Sequence, residues 1–166
     1  QSSKNIADTN LDLNENPGAI RVDLSYRGNP AIISGSGNFS LYEGTKKIVD
    51  FSKDDQVSIQ LTDNKFTVSH NQDKWSLSSN PRFLPQLSTI LRVETWDRKN
   101  GAKDSSGNQL KDNEFRGILE VLVYDKELHI VNELPLEDYL KGIAEESSSE
   151  PIEKIKAIMI IARTYA

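Results

Sequence analysis

The sequence predicts an α+β fold in which a mostly antiparallel β part, of sandwich or barrel type, precedes two C-terminal helices. Short apolar alternations separated by turn residues extend from residue 20 to residue 132, a pattern typical of antiparallel strands. After Pro135 the apolar period becomes that of a helix. With 166 residues, of which 36% are hydrophobic and 27% charged, the chain has the composition of an ordinary globular protein.

Composition also excludes several functional classes. Twenty Lys and Arg against 25 Asp and Glu give a net charge of −5, so we predict no nucleic-acid partner held by bulk charge. Without cysteine, this stretch forms no disulfide and no thiolate zinc site. No apolar run reaches the roughly 20 residues that span a bilayer. Because the chain begins at Gln1 and stops within an apolar helical pattern, we expect a piece of a longer protein. A signal or membrane anchor before Gln1 would fit an exported protein, although a trimmed chain fits equally well.

Residues 1–19 are polar and poor in aromatics, which predicts a flexible lead-in. Within them, oxygen-bearing side chains alternate as in a calcium-binding loop, at Asp8, Asn10, Asp12 and Asn14. Leu13 then replaces the turn-forming glycine, and Ala19 replaces the bidentate glutamate of such a loop. We therefore favour a solvated segment and predict no metal and no cofactor.

Residues 20–96 form the predicted β-rich module. Strands are expected at 20–25, 31–34, 39–42, 46–51, 56–61, 65–70 and 74–77, with Gly, Asn, Asp and Pro between them. The segment Gly35-Ser36-Gly37 could be imagined to cradle a phosphate, but no helix follows it to supply N-terminal amides. We favour a hairpin in which both glycines adopt positive φ.

A second group of strands is predicted at 90–95, 115–124 and 127–132, with a tight turn at Asp125-Lys126 joining the last two. Residues 97–114, between the first and second strands of this group, are polar and are interpreted as a long loop, either functional or mobile. The two histidines, His70 and His129, each lie in a strand without a second ligand nearby in sequence. We expect half-buried or surface imidazoles rather than metal ligands or bases.

Two helices close the chain, one at 136–140 after Pro135 and a longer one from Pro151 to the end. The longer helix is so apolar that we expect it to be buried. Lys156 and Arg163 lie seven residues apart, about 20° out of line on one helix face. They either extend into solvent along apolar stems or face a cleft.

The segment between these helices, residues 142–151, contains three carboxylates and three hydroxyls. Acidic residues and serines near a helix N-terminus often serve only the helix dipole and the cap. Glu145, however, follows the apolar pair Ile143-Ala144, which would hold it partly desolvated and raise its pKa toward the range of a general acid. Glu146 reads as a plain surface residue.

Several separated motifs here resemble the SpoIID (stage II sporulation protein D) family, which includes amidase-enhancer relatives. They are Asn132-Glu133-Leu134-Pro135-Leu136-Glu137-Asp138-Tyr139-Leu140-Lys141-Gly142, Ala144-Glu145, Ser148-Ser149, Pro151-Ile152-Glu153, Lys156-Ala157 and Ala162-Arg163-Thr164-Tyr165-Ala166. The strand beginning Phe115-Arg116-Gly117 is similar to the usual lead-in of that family. Glu146-Ser147 and Glu150 depart from the pattern, which commonly has an apolar residue and Pro, and then Trp, at these places.

The resemblance implies a lytic transglycosylase that cuts peptidoglycan glycan strands, with Glu145 as its catalytic acid and base. It implies substrate contacts for Lys156 and Arg163, and loop-orienting roles for Ser148 and Ser149. It further implies an extracytoplasmic location and a domain at 115–166 that is truncated at its C-terminal end. Two alternatives stay open: a non-catalytic scaffold that binds glycan or activates a cell-wall amidase, and an independent β-rich module that docks wall polymer or a partner.

Overall fold

The computed structural model of this chain describes residues 18–96, 99–103, 107, 109–142 and 151–165. The predicted α+β class, mostly antiparallel β with two C-terminal helices, is confirmed. The strands are β1 (Ala19–Asp23), β2 (Ala31–Gly35), β3 (Phe39–Glu43), β4 (Lys46–Phe51), β5 (Val57–Thr62), β6 (Lys65–His70), β7 (Asp73–Leu77), β8 (Pro81–Pro85), β9 (Leu91–Val93), β10 (Lys99–Lys103), β11 (Gln109–Lys111), β12 (Glu114–Phe115), β13 (Ile118–Tyr124) and β14 (Glu127–Pro135). The helices are α1 (Leu136–Gly142) and α2 (Ile152–Tyr165).

The strands form two six-stranded antiparallel sheets and a separate two-stranded ribbon. The first sheet has the order β1-β14-β13-β8-β3-β4, and the second has the order β12-β9-β2-β5-β6-β7. The chain changes sheet several times, and two of these changes, from β2 to β3 and from β8 to β9, are made by short connections. Strands from the predicted β-rich module and from residues 115–135 therefore share the first sheet, while the predicted domain division itself stays a prediction.

Alternating apolar side chains of both sheets form the hydrophobic core, as the period of two requires. Phe39 and Phe83 of the first sheet and Ile33 and Ile59 of the second are fully buried. The rings of Phe39 and Phe51 pack with centroids 5.1 Å apart. This core fixes the first sheet, from whose strand β14 the helix α1 continues.

Strand β8 was missing from the sequence prediction because proline stands at both of its ends. Its register pairs Pro81 with Glu43 and Pro85 with Phe39, so both prolines lie at the margins of the β3 ladder. Between them, Phe83 and Leu84 are buried, and β8 also pairs with β13. A proline lacks an amide donor, and it is tolerated here because it only bounds the strand.

Residues 97–114, interpreted from the sequence as a polar loop, contain strands as well. β10 pairs with β11 through an irregular antiparallel register, and β12 pairs with β9 of the second sheet. These strands are short and polar, so they lack the apolar alternation from which strands are recognised.

The expectation that Gly35 and Gly37 adopt positive φ is wrong, since the glycines with positive φ in the described residues are Gly44, Gly107 and Gly117. Space explains the two glycines instead. A Cβ on Gly35 would lie 2.7 Å from Cδ1 of Phe39, and a Cβ on Gly37 would lie 2.6 Å from Oγ1 of Thr89. Both positions need glycine because neighbouring groups approach the backbone closely.

Residues 1–17, with the calcium-like alternation of Asp8 to Asn14, lie outside the described residues. Ala19, the last residue of the predicted lead-in, already belongs to β1. β1 pairs along its whole length with β14, from Ala19 opposite Pro135 to Asp23 opposite Val131. Within the part of the chain that the structure describes, neither helix combines the length and hydropathy that a membrane-spanning helix needs.

Candidate functional site

Strand β14 leads directly into α1, so the first sheet positions this helix. The amide of Leu136 donates to the carbonyl of Gly18 at 3.0 Å, which continues the β1 ladder to the helix start. Leu140 is 4% exposed and anchors α1. The first turn carries Glu137 and Asp138, where acidic residues complement the helix dipole.

Four charged side chains form a network on the face of the first sheet opposite the core, and we call Arg21, Arg82, Glu120 and Glu133 the charged network. Register brings them together, since Arg21 lies opposite Glu133 and Arg82 lies opposite Glu120. Arg82 Nη2 donates to both carboxylate oxygens of Glu133 at 2.9 Å. Arg21 Nη2 donates to Glu120 Oε2 at 2.7 Å.

The two carboxylates of the charged network are well enclosed, which makes these contacts stronger than those of surface ion pairs. Glu120 is 6% exposed and also accepts a hydrogen bond from Asn80. The side chain of Glu133 is 15% exposed, and that of Arg82 is 12% exposed. Glu133 precedes Leu134-Pro135, so the network fixes the strand immediately before α1.

Hydrogen bonds from the side chain of Asn132 hold the start of β13 against β14. Asn132 is buried, and its amide nitrogen donates to the carbonyls of Arg116 at 2.7 Å and Ile118 at 3.1 Å. Between these two residues, Gly117 adopts a φ of +80°. The family-like lead-in Phe115-Arg116-Gly117 is thus a tight connection into the strand pair that carries α1.

Within the described residues, an ion pair links the two helices. Arg163 Nη2 of α2 donates to Glu137 Oε1 of α1 at 2.6 Å. In α1, Lys141 Nζ donates to Asp138 Oδ1 at 2.8 Å, and this hydrogen bond holds the pKa of Asp138 below its usual value. The contact between Glu137 and Arg163 was missed at the sequence level, where both residues belong to family-like motifs but lie 26 positions apart.

The expectation that the longer helix is buried is wrong for the described part of the chain. Ile152, Ile160 and Ile161 are 55%, 63% and 55% exposed. Apolar composition predicts burial only where a partner surface exists, and among the described elements α2 packs mainly against the seven-residue α1. The carbonyl of Pro151 accepts a hydrogen bond from the amide of Ile155, so the helix begins where the sequence predicts.

The predicted site residues divide into two groups. Glu145, Ser148 and Ser149 lie outside the described residues, so their roles stay predictions. Lys156 is exposed on α2. Arg163 is half exposed at 50% and contacts Glu137, so its guanidinium already has an anionic partner.

The two histidines lie away from the helices. The Nδ1 of His70 lies 3.0 Å from the carbonyl of Gln56, and the imidazole packs edge-on against Phe51. His129 is 8% exposed, with Nδ1 3.5 Å from Asp23 Oδ2. Burial raises the pKa of Asp23, but hydrogen bonds from Arg27, Ser25 and His129 outweigh it, and the pKa lies below its usual value.

Removing the ion pair between the helices is expected to have a small effect. In Glu137→Gln the unfolding free energy should fall by less than about 1 kcal/mol, because both partners are at least half exposed and water screens their attraction. Chemical denaturation measures this, with Glu153→Gln on α2 as the control. A loss of unfolding free energy above about 2 kcal/mol would show that the pair does more than join the surfaces of two helices.

Residues 124–166 match the SpoIID family, described as stage II sporulation protein. The SpoIID segment, as we call these residues, runs from the end of β13 through β14, α1 and α2. The match confirms the resemblance found in the motifs and suggests a cell-wall-related class of sporulation proteins.

A second comparison reaches beyond the SpoIID segment. An uncharacterized protein of Brachyspira hyodysenteriae (strain ATCC 49526 / WA1) is 29% identical over 138 residues, covering 72% of this chain and 38% of that protein. The chain thus spans well under half the length of this relative. Because the alignment is much longer than the SpoIID segment, it includes part of the β-rich region. No solved structure matches the chain.

Proposed function

We propose that the protein is a lytic transglycosylase that cleaves peptidoglycan glycan strands, with Glu145 as acid and base. The observation that carries the proposal is the SpoIID match at residues 124–166, which spans Glu145 and both flanking helices. Strand β14, which leads into α1, pairs with β1 on one side and with β13 on the other. A helix that continues directly from a paired strand is a suitable support for a catalytic segment, because catalysis needs a group held in a defined geometry.

The reaction needs one carboxyl group. The acid form of Glu145 protonates the glycosidic oxygen, and the bond from the anomeric carbon to that oxygen breaks. The resulting carboxylate then takes the proton from the primary hydroxyl of the same sugar, whose oxygen attacks the anomeric carbon and closes an anhydro ring. The proton returns to Glu145, no water is consumed, and no second carboxylate is required, unlike in ordinary glycoside hydrolysis.

The cations of α2 fit a supporting role in this proposal. Lys156 is exposed and would attract the carboxylate of a muramic acid residue. Arg163 would exchange Glu137 for substrate, or keep Glu137 and hold the helices together. Ser148 and Ser149 would orient the segment before α2. A substrate in the cell wall places the protein outside the cytoplasm, where a cell-wall amidase is a further partner in the proposal.

The test is digestion of purified peptide-free glycan strands by the full-length protein, followed by analysis of the released ends. Anhydro-ended products are expected from the wild type, and Glu145→Gln should lower their rate at least 100-fold because it removes the proton donor. The neighbouring variant Glu146→Gln is the control and should keep most of the activity.

Two results would contradict the proposal. Equal product formation by wild type and Glu145→Gln would remove Glu145 from the mechanism. Absence of cleavage together with stimulation of an added cell-wall amidase would favour the non-catalytic scaffold, for which the departures Glu146-Ser147 and Glu150 from the family pattern provide a reason.

A further inference from the structure

A cavity of about 260 Å³ opens at one end of the two sheets, far along the chain from the SpoIID segment. Two connections that cross between the sheets form it, one from β2 to β3 and the other from β8 to β9. The lining residues are Ser36, Gly37, Asn38, Gln86, Leu87, Ser88 and Thr89. The volume lies below the roughly 300–1,000 Å³ typical of sites for drug-sized ligands, and it suits a single small ring.

Hydrogen bonds join the two connections to each other, so the cavity is preformed. The amide of Ser36 donates to the carbonyl of Ile90 at 2.9 Å, and the amide of Ile90 donates to Oγ of Ser36 at 2.9 Å. The carbonyl of Asn38 accepts from the amide of Gln86 and from Oγ1 of Thr89, each at 3.0 Å. Preformed sites of this kind lose little entropy on binding.

The lining chemistry selects the class of ligand. All of the lining residues are uncharged, and their polar groups are hydroxyls and amides. Phosphate and nucleotide sites need cations or helix N-termini, and metal sites need carboxylates or imidazoles. A mixture of neutral donors and acceptors instead suits an uncharged ligand with several hydroxyl groups.

Two of these side chains are available to a ligand. Those of Asn38 and Ser88 are exposed and have no hydrogen-bond partner within the part of the chain that the structure describes. The side-chain nitrogen of Gln86 lies 3.4 Å from Oγ of Ser40, which itself donates to Asp50. These successive contacts through Ser40 orient the Gln86 amide at the edge of the cavity.

Leu87 adds an apolar contact at the rim. Its side chain is fully exposed at 104%, and its backbone has a φ of +51°. A non-glycine residue in this region is uncommon, and an exposed leucine there gains nothing from the core. A leucine beside hydroxyls and amides matches a sugar ring, which presents C–H groups on its face and hydroxyls around its edge.

We propose that this cavity binds one uncharged sugar residue of a glycan strand, as a second contact remote in sequence from Glu145. The choice of glycan rests on the proposed function, because the cavity by itself specifies only a neutral sugar. Asn38, Gln86 and Ser88 bond the hydroxyl and amide groups of the sugar, and Leu87 covers its apolar face. A strand that spans both places is held by more than its reacting bond.

The test measures binding of peptide-free glycan strands to the full-length protein by calorimetry, in Glu145→Gln so that no strand is cut. The double variant Asn38→Ala/Ser88→Ala and the single variant Leu87→Asp should each weaken binding about tenfold, the effect of losing one or two modest contacts. Gln72→Ala, an exposed amide in the β6–β7 turn, is the control and should stay within about twofold. All of these side chains are exposed, so unfolding midpoints should not move.

The outcomes separate this proposal from the proposed function. If cavity variants bind glycan as tightly as their parent while Glu145→Gln abolishes cleavage, the cavity proposal is overturned and the transglycosylase stands. If the cavity variants weaken binding but the wild type releases no anhydro ends, the cavity stands and the enzyme is overturned. If the Glu145→Gln parent binds no glycan, the proposal for the cavity is overturned.

Discussion

Gly117→Ala is expected to lower the free energy of unfolding by about 3 kcal/mol, because two penalties combine at this position. Gly117 adopts a φ of +80°, in the left-handed region that disfavours a side chain. An added Cβ would also clash with the backbone carbonyl oxygen of Glu133 and lie 2.7 Å from Cβ of Leu134. Neither group can turn aside, since both belong to the paired part of β14.

The chain supplies a matched control for this variant. Gly44 has a φ of +59°, and nothing lies within 4 Å of the position of its missing Cβ. Gly44→Ala should therefore show the conformational penalty alone, about 1 kcal/mol. Denaturant titrations of the two variants give the steric term as their difference. Equal losses of unfolding free energy in the two variants would mean that β14 shifts easily at Glu133. That result would contradict the view that β14 is rigid where it leads into α1.

Glu133→Gln is expected to lower the free energy of unfolding by about 2–3 kcal/mol. The variant weakens both charge-assisted hydrogen bonds from Arg82, whose side chain is 12% exposed and cannot turn fully into water. It also removes the longer contact of 3.7 Å from Arg21. Because the groups are enclosed, the loss should persist at high salt, where a surface pair would already be screened.

Two comparisons make this measurement specific. Glu127→Gln, at the exposed start of the same strand, should change the unfolding free energy by less than about 0.5 kcal/mol. The double variant Arg82→Met/Glu133→Leu should recover much of the loss, because apolar side chains of similar size avoid the desolvation of both charges. A Glu133→Gln variant as stable as the wild type would mean that water reaches the charged network freely.

The sequence was sufficient for most of the β part because its strands alternate apolar and polar residues between clear turns. The turn at Asp125-Lys126 is an example, since both residues have positive φ of 49° and 66°. Strand β8 was not predicted because a proline at each end is typical of a loop in a sequence. The pairing of β1 with β14 joins segments more than a hundred residues apart, and no local pattern encodes it.

The candidate site was recognised through motifs rather than through geometry. The SpoIID resemblance and the two helices could be found locally, since Pro135 and Pro151 mark helix starts. The ion pair of Arg163 with Glu137 and the exposure of α2 depend on how two helices meet, which helix periodicity does not encode. The tight contact of Gly37 with Thr89 likewise connects two loops that are distant along the chain.

The pairing of β1 with β14 has a consequence for how the chain folds during synthesis. The first strand of the sheet emerges early, but its only ladder partner among the described strands is made more than a hundred residues later. At roughly 5–20 residues per second, β1 waits several seconds or more with an unpaired edge. A nascent chain in this interval exposes strand edges that invite wrong pairing. Completion of β14, immediately before α1, is therefore the step that commits the first sheet to its native order.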